Sequence, residues 1–533
     1  MADLMADYVI VGAGSAGCVV AARLSETGAK VLLLEAGPSD WYPLIHVPAG
    51  ILKLLHNPRV NWNYTAEPEP GTGNRPIHWP RGKVLGGSSS INGMFYVRGN
   101  PADYDGWAQM GCRGWSYDEV LPFFRRSETY VGGGDPAYRG KAGPLRVEDY
   151  RTILPLTRYF VEAARQAGFP QTPDYNGKVQ EGVGFAQMTR NGRFRGSTAQ
   201  TFLSQARKRP NLRIETGALA TRLTFSGRRC NGVRFRQGET ERTAFAAKSV
   251  VLSGGSINSP QLLQISGIGP ADHLRSIGVE VLVDAPGVGQ NMSDHYAVRV
   301  THRVDKLISI NQLSRGTRLA REALRFATLG NGALTFGVTS ATLFCRSREG
   351  LSSPDLQLLF TPASYDQNRF GELERLSGMT IAVCPVRPES RGSVMAKSAS
   401  PRDYPSIHPG YLTQRGDIAV MLAGIRETRR IFAQPALADH SLGETLPTLA
   451  VASDEALEDF IRRAGTSLYH PVGTCRMGEG PGAVVDARLR VHGVEGLRVV
   501  DASIMPTVTT GNTNAPSIMI GEKGAAMIRE DAG

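Results

Sequence analysis

Two short segments near the C-terminal end could do proton chemistry together. Ser467 to Gly478 reads S-L-Y-H-P-V-G-T-C-R-M-G, and Gly511 to Pro516 reads G-N-T-N-A-P. His470, fixed between an aromatic residue and a proline, can accept a proton as neutral imidazole at physiological pH. Asn512 can donate a hydrogen bond to a developing alkoxide without competing for that proton. At the other end of the chain, Gly12-Ala13-Gly14-Ser15-Ala16-Gly17 forms a G-x-G-x-x-G turn. A proton acceptor combined with a nucleotide-binding turn points to redox chemistry.

The turn carries weight because of its surroundings. Tyr8 to Val11 is a short apolar run ending at Gly12, Ser15 to Ser25 is rich in Ala, Val and Leu, and Lys30 to Glu35 is a second apolar run. Continuous apolar strands of this kind belong to parallel sheets covered on both faces, so the segment predicts a β-α-β unit. The first glycine allows the tight turn, the second lets backbone approach a pyrophosphate, and the third lets helix pack on strand. The helix N-terminus then faces phosphate charge. Glu35 ends the second strand, where a carboxylate accepts bonds from ribose hydroxyls and repels a 2′-phosphate, which disfavours NADP.

Ser249 to Leu252, followed by Gly254-Gly255, and Leu497 to Val500, followed by Asp501, read as later strands of the same sheet. Between about Tyr296 and Gly465 the texture changes to separated apolar runs, at 356–360, 379–386 and 392–396, with Pro and Ser between them. That pattern predicts antiparallel sheet with helices, one of them spanning 417–432. Val131 to Pro136 reads as an exposed loop. Pro516 is expected to open a helix running to Met527, since its missing N–H costs nothing there.

At 533 residues the chain is long enough for at least two compact units. With 41% hydrophobic and 20% charged residues and no run of eighteen apolar ones, neither disorder nor a spanning helix is supported. No secretory leader is visible. The six cysteines are dispersed without C-x-x-C, which fits isolated thiols, no metal site and a cytoplasmic location. The formal charge of +11 reflects a positive surface, and no nucleic-acid-binding motif accompanies it. Arg318, Arg321 and Arg325 recur on one face of an expected helix, with Leu319, Ala323 and Phe326 on another, a pattern suited to a solvated face or to peripheral membrane contact. Signatures of hydrolases, zinc proteases and P-loop kinases are absent, and Cys475 reads as a small buried side chain.

Two further glycine-rich blocks, Gly82 to Asp105 and Gly255 to Gly269, resemble the two signature segments of the glucose-methanol-choline (GMC) family of flavin oxidoreductases. The resemblance extends from the N-terminal turn to the His470 and Asn512 segments, with its choline dehydrogenase-like branch the most similar. It implies an α/β fold with a Rossmann-like, three-layer FAD-binding domain from 1–150, 195–300 and 461–533. An α+β substrate-binding cap with antiparallel sheet would come from 151–194 and 301–460. It also implies oxidation of a primary alcohol by proton abstraction at His470 and hydride transfer to flavin N5.

Carried over by position, Gly12, Gly14, Ser15 and Gly17 would hold the pyrophosphate, Glu35 and Ala36 the adenosine ribose, and Ala220 the adenine. Val84, Gly87, Ser88, Asn92 and Gly93 would line the pyrophosphate, ribityl chain and flavin ring. Asp501, Ala502 and Asn514 would complete the cradle. Ile91 occupies the position where some family members carry a flavin-linking histidine, so FAD is expected to bind noncovalently. Leu468 beside Tyr469 would crowd the flavin face and favour a quinone-like electron acceptor over oxygen. An alcohol oxidase and an FAD-containing hydroxynitrile lyase are the alternatives.

Overall fold

The computed structural model describes residues 3–305, 307–366 and 371–532. Leu4–Val11 pairs in parallel with Val31–Glu35 on one side and with the long strand Thr240–Leu252 on the other. Leu212–Thr216 adds beyond Val31–Glu35. The first half of the long strand pairs antiparallel with Arg229–Gln237, while its last residues pair in parallel with Leu497–Val499. The glycine turn between Leu4–Val11 and helix Ser15–Leu24, Gly254-Gly255 and Asp501 therefore all emerge at the same edge of this seven-stranded sheet. The apolar runs 8–11, 31–35 and 249–252 are buried throughout, as parallel pairing covered on both faces requires: Val9, Ile10, Leu33, Val250 and Val251 have no accessible surface.

Helices Ser15–Leu24, Thr198–Ala206 and Asn514–Glu530 pack together beside this sheet. The C-terminal helix begins two residues earlier than expected and ends three residues past Met527. Pro516 is thus its third residue, still inside the first turn, where no intrahelical acceptor awaits an N–H. Arg23 clamps Glu522 through the Nε and Nη2 edge of its guanidinium, at 2.9 and 2.7 Å, and the carboxylate is fully buried. This joins the first helix to the last.

The second seven-stranded sheet is antiparallel, in the order Ser441–Leu446, Tyr296–Val304, Gly378–Pro385, Leu356–Thr361, Ala341–Cys345, Gly182–Phe185, with Thr466–Ser467 pairing at the start of Tyr296–Val304. Helix Arg415–Phe432 packs on it. The run 392–396 does not join this sheet. Ser393–Met395 forms a separate hairpin with Ser406–His408, tied by Gln264 to helix Gly255–Ile265 of the other unit. A four-stranded sheet also combines Leu145–Asp149 with Gln187–Asn191, from opposite sides of position 150.

The basic helix spans Gly316–Leu329. It buries only Glu322 and Phe326, the latter edge-on to Phe194, while Arg325 bonds Glu322. Leu319 and Ala323, expected opposite the arginines, are solvent-facing, as are Leu324 and Leu329. Among the described residues no helix is long and apolar enough to cross a membrane, and no His/Cys/Asp/Glu group is arranged to hold a metal. All six cysteines are buried and unpaired.

Candidate active site

The edge of the parallel sheet opens into one cavity of about 770 Å³ that continues beneath the antiparallel sheet. Gly12, Gly14, Ser15, Glu35, Ala36, Gly87, Ser88, Asn92, Gly93, Ala220, Asp501, Ala502, Asn514, His470 and Asn512 all line it. Gly17 and Val84 do not. A Cβ on Gly17 would lie 1.9 Å from the Gly12 carbonyl oxygen, so this glycine serves helix-to-turn packing. Val84 sits one layer behind, packed with Ile45, Leu54, Val60 and Ile91. Gly12, at φ +99°, is excluded from side-chain substitution by Ser253, whereas a Cβ on Gly14 would meet only the Ser253 oxygen at 3.8 Å. Of the three motif glycines, Gly14 is the one whose face is left open to a ligand.

Three helix N-termini converge on this space, those of Ser15–Leu24, Gly255–Ile265 and Asn514–Glu530. Each presents unsatisfied N–H groups and a positive dipole end. Ser15 donates its hydroxyl to Asn514 Oδ1 at 2.8 Å, tying two of them together. Asp501 accepts from the Gly255 N–H at 2.9 Å and from Ser259 at 2.6 Å, fixing the third. Glu35 accepts from the Ala13 and Gly37 N–H groups while burial pushes its carboxyl up to about 7. Asn92 is held by the buried Arg195, whose Nη1 reaches its side-chain oxygen at 2.9 Å.

His470 stands where the two sheets meet. Tyr469, just before it, has φ +68°, a left-handed backbone that an aromatic residue adopts only when its surroundings impose it. The surroundings are visible. Buried Asp294 accepts the His470 N–H at 2.7 Å, the Ser467 hydroxyl at 2.6 Å and the Tyr411 hydroxyl. Ser467 Oγ accepts the Tyr469 N–H at 2.7 Å, and the half-buried Arg81 donates to the Tyr469 carbonyl at 2.6 Å.

The imidazole itself lies between two partners. Its Nδ1 is 3.0 Å from Nδ1 of His295, and its Nε2 is 2.9 Å from Nδ2 of Asn512. His295 Nε2 faces the Val386 carbonyl at 3.3 Å. A carbonyl only accepts, so the His295 proton belongs on Nε2, leaving its Nδ1 as an acceptor. His470 must then carry its own proton on Nδ1 and a lone pair on Nε2, which is what the Asn512 N–H requires from the other side. Burial holds His295 at about 4, so it is uncharged at neutral pH. Burial, with His295 and Arg81 nearby, holds His470 well below the usual imidazole range. The result is a neutral histidine with one fixed tautomer, its basic nitrogen turned to the cavity wall. The Asn512 Oδ1 is buried without a partner among the described residues, and Asn512 retains a second N–H.

The sequence reading missed Asp294, His295, Arg81 and Arg195. An Asp-His pair immediately before an apolar strand was the available signal for the first two. Nothing local marked the arginines.

The GMC oxidoreductase family models match residues 6–297 and 388–521. The chain is 43% identical to the mitochondrial choline dehydrogenase of Mus musculus, covering 98% of this chain and 89% of that protein. It is 44% identical to the oxygen-dependent choline dehydrogenase of Brucella suis, covering 98% and 95%. Among solved structures, pyridoxine 4-oxidase from Mesorbium loti aligns with a TM-score of 0.90 at 32% identity, covering 98% of this chain and 99% of that one. Formate oxidase from Aspergillus oryzae aligns at 0.93 and 28%, covering 100% and 99%. With both halves of the family pattern present, a parallel sheet delivering the nucleotide turn and an antiparallel sheet closing over His470, the chain belongs to the GMC oxidoreductase family.

Proposed function

We propose that the protein is an FAD-dependent enzyme that oxidises an alcohol to an aldehyde or ketone, with His470 as the proton acceptor. The observation that carries this reading is the fixed tautomer of His470, whose Nε2 lone pair lies on a cavity continuous with a dinucleotide cradle. The residues present fit FAD. Gly14 leaves room for a pyrophosphate, three helix N-termini offer it positive charge, and Glu35 has lone pairs left for a ribose. Ile91 places hydrocarbon on the same wall, which supports noncovalent binding of the cofactor. When bound, FAD supplies the two-electron acceptor for the hydride that leaves the alcohol carbon.

The chain's own residues handle the proton. An alcohol hydroxyl placed beside His470 gives its proton to Nε2, while an Asn512 N–H steadies the oxygen as it gains charge. The imidazolium that forms keeps its Nδ1–H on His295, and that bond becomes charge-assisted. Similarity to proteins named choline dehydrogenases supports a CH–OH donor. Leu468 lines the cavity beside Tyr469 and supports an acceptor bulkier than oxygen, of quinone type. The test is anaerobic addition of alcohols to the yellow holoenzyme: bleaching by one class supports the reading, and a flavin that stays oxidised with every alcohol overturns it. Admitting air afterwards separates oxidase from dehydrogenase by the speed at which colour returns.

The arginine and leucine face of Gly316–Leu329 supports peripheral contact with an anionic membrane. Sedimentation with anionic but not neutral vesicles is the expected result, and equal behaviour with both refutes it.

A further inference from the structure

The two ends of the cavity differ in charge. At the nucleotide end, the carboxylates Glu35 and Asp501 face N–H groups. At the other end, the cap strand Tyr296–Val304 turns Arg299 and Thr301 into the cavity from the same face, two residues apart. The Arg299 guanidinium lies over the ring of Tyr365, 5.0 Å from its centroid. It has no hydrogen bond or ion pair with any described residue. A half-buried guanidinium has five donors in a planar fork, and stacking on an aromatic ring occupies only its face. Its edge is left for something that enters the cavity. Arg299, Tyr469 and His470 line the same cavity, so the fork and the imidazole share one chamber.

The other charges on this side reinforce the sign. The half-buried Arg81 lines the cavity with His470. Asp366, beside Tyr365, also lines the cavity and has an interaction of its own. A trimethylammonium group would meet an unpaired cation here, where it needs a carboxylate or an aromatic cage. A carboxylate would complete a bidentate pair of the strong, charge-assisted kind.

We infer that the natural alcohol carries a carboxylate, which Arg299 grips while the hydroxyl-bearing carbon meets His470. This rests on the alcohol-oxidation reading and narrows it to hydroxy acids. It separates the protein from relatives named for choline, a cationic alcohol, without any change in the proton chemistry at His470.

The experiment uses the holoenzyme and three matched series of primary alcohols of graded chain length, ending in carboxylate, methyl or trimethylammonium. Flavin bleaching is followed anaerobically. At the best length, the carboxylate series should bleach the flavin with a second-order rate constant ~10–100-fold above its methyl counterpart, with trimethylammonium slowest. Arg299→Met should remove the carboxylate advantage, bringing the carboxylate and methyl series to within a few fold of each other in a protein that keeps its flavin. Arg299→Lys, which keeps the charge without the fork, should restore part of it. A non-oxidisable alkanoate should perturb the flavin spectrum of the wild-type protein and not of Arg299→Met.

Choline-like alcohols reacting as fast as the carboxylates would overturn the inference, as would a carboxylate preference that survives Arg299→Met. Loss of flavin from both Arg299 variants would also sink it, because the arginine would then serve the cofactor or the fold. Bleaching by methyl-ended alcohols without carboxylate preference defeats this inference alone. No bleaching in any series defeats the alcohol-oxidation reading, and this inference falls with it.

Discussion

The nucleotide end and the substrate end of the cavity are built by different means. The first is walled by glycines, short side chains and backbone N–H groups from turns that follow strands. The second is walled by large side chains, among them Arg299, Tyr365, Leu359 and Leu446, that reach in from strands and loops of the antiparallel sheet. A backbone-built wall depends on local geometry and tolerates little change. A side-chain-built wall can alter its chemistry one residue at a time, provided the sheet behind it stays intact. His470 and Asn512 sit at the seam, and their support comes from both sides.

Breaking the seam should have the largest effect. With His470 as the proposed general base, His470→Ala should slow anaerobic flavin reduction by ~10²–10⁴-fold while the protein remains yellow, since no cradle residue is touched. At the nucleotide end, Gly14→Val should give folded protein that binds FAD ~10²-fold more weakly, because its side chain points into open space. Gly17→Val should instead fail to fold, because its side chain meets the Gly12 carbonyl. Circular dichroism together with flavin content separates the two, and equal behaviour would show that the motif glycines are not divided in this way.

His295→Ala should lower the reduction rate by about 10-fold, since the tautomer of His470 is no longer fixed. His295→Gln, whose amide oxygen can accept the Nδ1–H, should recover much of it. Rates that do not distinguish Ala from Gln would deny His295 a positioning role.

The pH dependence is a smaller effect with a definite sign. Both histidines are shifted below the ordinary value of 6.5, so each stays neutral as pH falls through it. Reduction should therefore persist from pH 8 to ~6.5 and decline only below, followed by stopped-flow. His295 contributes stability that is complete above 6.5 and is lost as pH falls toward about 4. Thermal melting across that range reads it, and His295→Gln should flatten the decline. The smallest expected change is at the acceptor: Leu468→Ala should raise hydrogen peroxide production several-fold, and no rise would remove the steric argument for a quinone-type acceptor.

The same division decided what the sequence made legible. Gly12, Gly14 and Gly17 stand within six residues, and the backbone motif they specify needs no partner to be recognised. The buried strands at 8–11, 31–35 and 249–252 were equally plain, because parallel strands must be apolar on both faces. By contrast, Arg299, Tyr365 and Leu446 are separated by tens of residues, and only the pairing of Tyr296–Val304 with Gly378–Pro385 and Ser441–Leu446, and of Leu356–Thr361 with Gly378–Pro385, gathers them. Run 392–396 looked like its neighbours in composition, yet its strand has three residues and found a local hairpin partner. His295 could be read as a histidine but not as the partner of one 175 residues away. Periodicity also could not say which face of Gly316–Leu329 would be covered, since the arginines and the leucines both ended in solvent.

The clamp between Arg23 and Glu522 has a consequence for biosynthesis. The nucleotide turn leaves the ribosome first, but its sheet lacks the strand Leu497–Val499, and its first helix lacks the neighbour Asn514–Glu530, until nearly the whole chain has emerged. At ~5–20 residues per second that interval lasts tens of seconds, during which the apolar flank of Ser15–Leu24 stays uncovered. Nascent chains truncated before the final helix should therefore emerge colourless and dependent on chaperones, with cofactor captured only once that helix is in place.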